Sequence, residues 1–84
     1  MIFMTQTEWI ENFRNRLNEA MNKRGFSQNQ LARKSGLSAS RINSYIKDGA
    51  LPTVYAIINM AYALDVTPSE LVDFNERISK IRKE

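Results

Sequence analysis

The feature that most constrains the fold is the short connection Gly36-Leu37-Ser38, which joins two stretches of helical spacing inside LARKSGLSASRINSYI at residues 31–46. So short a connection makes the two helices cross at a steep angle. Gly36 can adopt the left-handed conformation that ends a helix, and the Ser38 hydroxyl can cap the next one. Ala32 is small where the two helices approach each other. The segment therefore predicts two short helices joined by a tight turn.

Helix start and stop signals recur along the rest of the chain. In a capping box, a Ser or Thr pairs with a Glu or Gln three residues later. Three such pairs occur: Thr5 with Glu8, Ser27 with Gln30, and Thr67 with Glu70. Gly25 ends a first helix predicted over 8–24, and Thr53 caps a fourth helix after a loop at 48–52. These signals predict an all-α fold of five short helices, with helices 2 and 3 forming a helix-turn-helix.

Apolar residues at helical spacing give the expected core of this five-helix domain. The predicted core positions are Trp9, Phe13, Leu17, Ala20, Met21, Leu31, Ala32, Leu37, Ile42, Tyr45, Ile46, Ile57, Ile58, Ala61, Leu64, Leu71 and Phe74. Ile78 and Ile81 continue the spacing, so the fifth helix is expected to run on toward Arg82. Residues 1–84 are expected to form a single domain, with its core at 8–74 and a helical extension or tail at 75–84.

Composition excludes several classes of function. The chain has no Cys and no His, so it lacks disulfides, thiol nucleophiles and the commonest zinc ligands. Its acidic residues are scattered over helix surfaces, which indicates that it is not an enzyme and predicts no catalytic residues, metal site or cofactor. No apolar run approaches the length of a membrane span. A cytoplasmic protein is expected.

Positive charge is concentrated in the middle of the chain. Eight Lys and Arg residues and one acidic residue lie between positions 14 and 47. That segment carries +7 and the remainder of the chain −4, for a total of +3. A local excess of this size is typical of a surface that binds a polyanion.

The stretch from about Phe13 to Phe74 resembles the helix-turn-helix domain of the phage repressor and Cro type, which implies a protein encoded by a bacterium or a phage. The resemblance rests on SQNQLARKSGLSASRINSYIKDGALPT followed by IINMAYALDVTPSELV. It implies a compact, repressor-like domain whose third helix enters the DNA major groove, normally as a dimer on a two-fold operator. Relatives commonly have Gly at the position of Asp48, whereas here Gly49 follows one residue later, so the loop is expected to persist with a shift. Relatives often carry Gln at the positions of Ala39 and Ser40.

The exposed side of the third helix supplies the candidate base-reading residues. At 100° per residue, one side carries Ala39, Ser40, Asn43 and Ser44, opposite Ile42 and Tyr45. Asn can bind an adenine edge through two hydrogen bonds, Ala can contact a thymine methyl, and Ser can donate or accept. None of the four is bulky, so the helix can sit deep in a groove.

Other polar residues around this helix suit the phosphate backbone. Gln28 and Asn29 lie at the start of helix 2, where free amides and the helix dipole favour a phosphate. Lys47 lies at the end of helix 3. Arg41 projects away from the centre of the reading side, which favours a phosphate or an acidic neighbour over guanine.

Sequence-specific binding to double-stranded DNA is the leading interpretation, as a transcriptional regulator and most simply a repressor that occludes a promoter. A phage or prophage switch protein and the DNA-binding antitoxin of a toxin–antitoxin pair both fit, and a protein-interaction module that retains the fold is a further alternative. A homodimer is expected. Leu71, Phe74, Ile78 and Ile81 are either its interface or a stripe that packs on the first helix.

Overall fold

The first helix begins at a capping box and ends at a glycine, as predicted. In the computed structural model, which describes residues 5–72, α1 spans Gln6–Arg24. The Glu8 amide donates to Thr5 Oγ1, and the Thr5 amide donates to the Glu8 carboxylate. Gly25 closes the helix with φ at 68°. The helix starts before the predicted residue 8 because Thr5 itself is the cap.

The predicted helix-turn-helix consists of α2, Gln28–Ser35, and α3, Ala39–Asn43. Gly36 takes the left-handed conformation, with φ at 75°. Ser38 Oγ then accepts a hydrogen bond of 3.1 Å from the Arg41 amide and caps α3. The tight turn thus satisfies the free ends of both helices locally.

One residue in this turn was not singled out from the sequence. Ser35 is buried, and its hydroxyl donates to the Ala32 carbonyl while it accepts from the Leu37 amide, both at 3.3 Å. Its hydroxyl therefore stays hydrogen-bonded inside the angle between the two helices, where an unpaired polar group would be costly.

Past Asn43 the helix widens into a π-helical turn, Ser44–Asp48. The Gly49 amide donates to the Ser44 carbonyl, five residues back, and the Ala50 amide lies 3.2 Å from the same oxygen. Gly49, with φ at 69°, is the left-handed residue, and Asp48 remains helical. The shift of one residue is therefore taken up inside the helix rather than in the loop that follows.

One prediction about the C-terminal half was wrong. Helix α4, Val54–Leu64, is capped by Thr53 as predicted, and α5 spans only Pro68–Leu71. Thr67 Oγ1 lies 3.0 Å from Ser69 Oγ and makes no capping bond, so the box with Glu70 does not form. Helix α5 ends at Leu71 and Val72 is extended; the predicted continuation toward Arg82 lies outside the described residues. Phe74, Ile78, Ile81 and the tail 75–84 lie outside the described residues.

The core lies where all five helices meet. Its buried members are Phe13, Leu17, Ala20, Met21, Leu31, Ala32, Leu37, Ile42, Tyr45, Ala56, Ile57, Met60, Ala61, Leu64, Leu71 and Val72. Trp9 and Ile46 pack against this core half-buried. The prediction for Ile58 was wrong, since Ile58 is 39% exposed while Met60 is fully buried. No helix within residues 5–72 is long and apolar enough to span a membrane.

Candidate nucleic-acid interface

Helix α3 is attached to the body of the protein by one side only. Ile42 is fully buried, and the Tyr45 ring meets Phe13 of α1 edge to face at 6.4 Å. Phe13 in turn stacks on Trp9 at 5.7 Å. This aromatic column fixes the position of the π-helical turn, and with it the end of α3, on α1, because packed rings resist displacement. The opposite side of α3 is left free to meet a ligand.

The four predicted base-reading residues lie together on that opposite side. Ala39 and Ser40 are exposed, while Asn43 and Ser44 are half-buried. Within residues 5–72 the side chains of Ser40, Asn43 and Ser44 make no hydrogen bond, so their donors and acceptors are available. We call these four residues the reading face.

A shallow groove of about 450 Å³ borders the reading face on one side. Ser40, Arg41 and Ser44 line it from the helix, and Ala50 and Leu51 line it from the following loop. Arg41 is exposed there and has no side-chain partner in the described part of the chain. Sequence reasoning missed the contribution of this loop, although an apolar Leu51 in an otherwise exposed connection was a signal for it.

Two of the predicted phosphate-binding residues lie at the first turn of α2. Gln28 is half-buried and Asn29 is exposed. The Gln30 amide is satisfied by Ser27 Oγ at 3.2 Å, whereas the amides of Gln28 and Asn29 have no partner among residues 5–72. Unpaired amides at the positive end of a helix are suited to an anion. Lys47 is exposed on the π-helical turn, at the other end of the interface.

Several basic side chains of the segment 14–47 make contacts with other residues of the protein. Arg14 Nε donates to the Ile46 carbonyl at 2.8 Å, and Arg24 donates to the Asp65 carbonyl at 3.1 Å with a longer contact to its carboxylate. The Lys34 ammonium lies 5.6 Å from the centre of the Phe26 ring. The cations free to attract a polyanion are therefore fewer than the sequence count suggests.

A second groove, of about 630 Å³, lies between α1 and the junction of α4 and α5. Its charged lining residues are of both signs: Arg16, Glu19, Lys23, Arg24, Asp65 and Glu70. Because the opposite charges offset one another, this groove does not favour a polyanion. Among residues 5–72 no cluster of acidic side chains could hold a metal ion.

An exposed apolar surface on α4 was not predicted. Val54, Tyr55, Ile58 and Tyr62 are 70%, 66%, 39% and 81% exposed, and they fall within about 100° of one another around the helix axis. Leu51 continues the surface into the loop that borders the reading face. We call these five residues the outer face. A groove of about 420 Å³ with Val66, Thr67 and Pro68 borders it at the far end.

Comparison with known proteins agrees with this architecture. The helix-turn-helix family matches residues 17–71. The crystal structure of the restriction-modification controller protein C.AhdI from Aeromonas hydrophila is similar, with a TM-score of 0.70 and 34% sequence identity. The match covers 74% of this chain and 94% of that protein. No curated protein matches the sequence significantly.

Proposed function

This chain belongs to the Cro/C1-type helix-turn-helix family of DNA-binding transcription regulators, and from that premise we propose that it represses transcription by occluding a promoter. It is a non-enzymatic protein whose ligand is double-stranded DNA. The observation that carries the proposal is the reading face, a row of four small side chains on the free side of the helix, of which the three polar ones have no hydrogen-bond partner among residues 5–72.

In the proposed complex, α3 lies in the major groove and the reading face meets the base edges. Asn43 binds an adenine through its amide, Ala39 contacts a thymine methyl, and the hydroxyls of Ser40 and Ser44 donate or accept. Since all four are short, the backbone of α3 comes close to the bases. Direct reading is then supplemented by the shape of the groove.

Phosphate contacts on both sides of α3 set its orientation. Gln28 and Asn29 bind one phosphate with the amides of the first turn of α2. Arg41 and Lys47 contact the backbone elsewhere, since both are exposed without a partner among residues 5–72. These contacts supply affinity for any sequence and a strong dependence on salt.

We propose that the protein binds its operator as a homodimer through the outer face. Five large apolar residues on one exposed surface are unusual for a monomer and typical of an interface. Leu71, one candidate for the interface, is fully buried in its own core and is unavailable to a partner. The outer face adjoins the reading groove at Leu51, so a second copy there extends the DNA-binding surface.

A second candidate concerns the genes under control. The similarity to C.AhdI spans nearly the whole of that protein, which favours a controller of a restriction–modification system over a phage or prophage switch. Both roles require the same recognition of an operator by α3.

Selection of bound duplexes from a random-sequence library tests the proposal. We expect a two-fold motif with its half-sites about one DNA turn (roughly 34 Å) apart. A transcription assay then places the selected duplex over a promoter, where the protein should lower the transcript yield. Recovery of no preferred sequence, or binding without an effect on transcription, would contradict the proposal.

A further inference from the structure

The π-helical turn at the end of the reading helix is held by α1. Three residues on one side of α1 reach it: Ile10 lies nearest to Gly49, Phe13 meets Tyr45, and Arg14 binds Ile46. The turn is therefore supported at Tyr45 and Ile46, and at the glycine that ends it, by a single neighbouring helix.

Arg14 makes the one contact of the three that is polar and directional. In a regular α-helix the Ile46 carbonyl would accept from the Ala50 amide. Here that amide lies 3.2 Å from the Ser44 carbonyl instead, and Arg14 Nε donates to Ile46 at 2.8 Å. A cation at the negative end of a helix, donating to a free carbonyl, makes a strong charge-assisted bond. Arg14 is also half-buried, so solvent competes with this bond only in part.

The geometry of the turn determines the direction in which Ser44 and Lys47 point. A hydrogen bond to the fifth residue makes the turn wider than an α-helical one, so Lys47 advances less far around the axis than its sequence spacing predicts. Ser44 begins the turn, and Asn43 immediately precedes it. A change in the turn therefore moves Lys47 and Ser44 relative to Ala39 and Ser40, which precede it.

We infer that Arg14 is a positioning residue for DNA recognition: by holding the Ile46 carbonyl it fixes the π-helical turn and thereby sets the sequence specificity of α3. This inference rests on the proposed reading role of α3. Arg14 itself makes no base contact in this arrangement, since its guanidinium is engaged between α1 and the turn.

The test compares Arg14→Met with Arg33→Met, which removes the same charge from an exposed position on α2. Each variant is titrated against the duplex selected by the wild-type protein and against a scrambled duplex of equal length and composition. We expect Arg14→Met to lose about tenfold more affinity for the selected duplex than for the scrambled one, a loss comparable with that of a base contact. Arg33→Met should weaken both equally, and Arg14→Lys should regain part of the preference.

Equal losses on both duplexes for Arg14→Met would overturn the inference, because charge alone would then explain them. Amide hydrogen exchange distinguishes a local effect on the turn from a general loss of stability. Protection should fall at Gly49 and Ala50, whose amides meet the Ser44 carbonyl, and should persist in α2 and α4. A uniform fall in protection would assign Arg14 a merely structural role.

Deletion of Asp48 provides a second variant should Arg14→Met fail to fold. It removes the additional residue and lets the helix end without the wide turn. The deletion alone should lower affinity for the selected duplex more than for the scrambled one, and equal losses would overturn the inference. Where Arg14→Met folds, it should cost less discrimination in the deletion background than in the full chain. Additive losses would overturn the inference. If the wild-type protein selects no sequence at all, the proposed function fails, whereas normal selection by Arg14→Met refutes only the role of Arg14.

Discussion

The reading face of α3 and the outer face of α4 are both exposed, but they are built from opposite kinds of side chain. The reading face has short residues, three of them polar, that are well hydrated in the free protein. The outer face carries two aromatic and three aliphatic side chains, which gain free energy when they leave water. A polar surface of this kind suits a ligand with a fixed pattern of donors and acceptors. The apolar surface suits another protein surface, so the proposed recognition and the proposed assembly use adjacent sides of the domain.

Charging the outer face should have the largest effect. Ile58→Asp combined with Tyr62→Asp places two carboxylates on this surface without touching the core, so we expect a folded monomer. Affinity for a two-fold duplex should fall by about a hundredfold or more, because two linked half-sites no longer bind together. Sedimentation equilibrium and gel-shift titration measure the two effects.

The matched control carries Asn15→Asp and Asn18→Asp on the exposed side of α1. It changes the net charge by the same amount and should remain dimeric. If the Ile58/Tyr62 variant kept the wild-type mass in solution, the outer face would not be the dimer interface.

Removing the amide from the reading face should have an intermediate effect. Asn43→Ala is expected to cost ~1–3 kcal/mol on the selected duplex and to relax the preference at one base pair. Asn29→Ala, at the start of α2, removes the same group from a proposed phosphate-binding position and should weaken all sequences alike. Repeating the library selection with each variant measures this difference. An unchanged motif for Asn43→Ala would remove that residue from the base-reading set.

The smallest effect is expected at the edge of the interface. Lys47→Met should lower affinity on every duplex and make the dependence of log affinity on log salt less steep, by about 0.9 for each phosphate that the protein no longer neutralises. Lys23→Met, near the end of α1 and away from α3, should change the slope less. Gel-shift titrations over a series of salt concentrations distinguish the two. A loss for Lys47→Met that is confined to the selected duplex would instead indicate that Lys47 reads a base.

Sequence reasoning located α2, the turn and the start of α3 because the signals that form them are local. Ser27, Gly36 and Ser38 act through hydrogen bonds or backbone angles within a few residues of themselves, so their roles can be recognised without knowledge of the fold. The Thr67 box failed for a related reason: the Ser69 hydroxyl, two residues away, engages the Thr67 side chain instead. The sequence pattern of a capping box does not show whether a neighbouring hydroxyl binds the capping side chain instead.

The outer face could not be predicted because α4 is apolar on nearly all sides. The apolar residues of VYAIINMAYAL do not fall on a single side of the helix, so their spacing makes Ile58 and Met60 equally plausible core residues. Only packing against α2 and α5 decides which one is buried. The Arg14 contact was also beyond prediction, because its acceptor is a carbonyl 32 positions away that the wide turn exposes.

The π-helical turn also affects how this chain should be aligned with its relatives. In a comparison with a helix that has one residue fewer before its terminal glycine, the gap could be placed in the loop or in the helix. The hydrogen bonds converging on the Ser44 carbonyl favour a gap between Ser44 and Asp48. Residues 39–43 precede the wide turn and keep α-helical spacing, whereas Lys47 lies within the turn. A residue-by-residue comparison with a regular α-helix therefore holds as far as Asn43 and shifts from Ser44 onward.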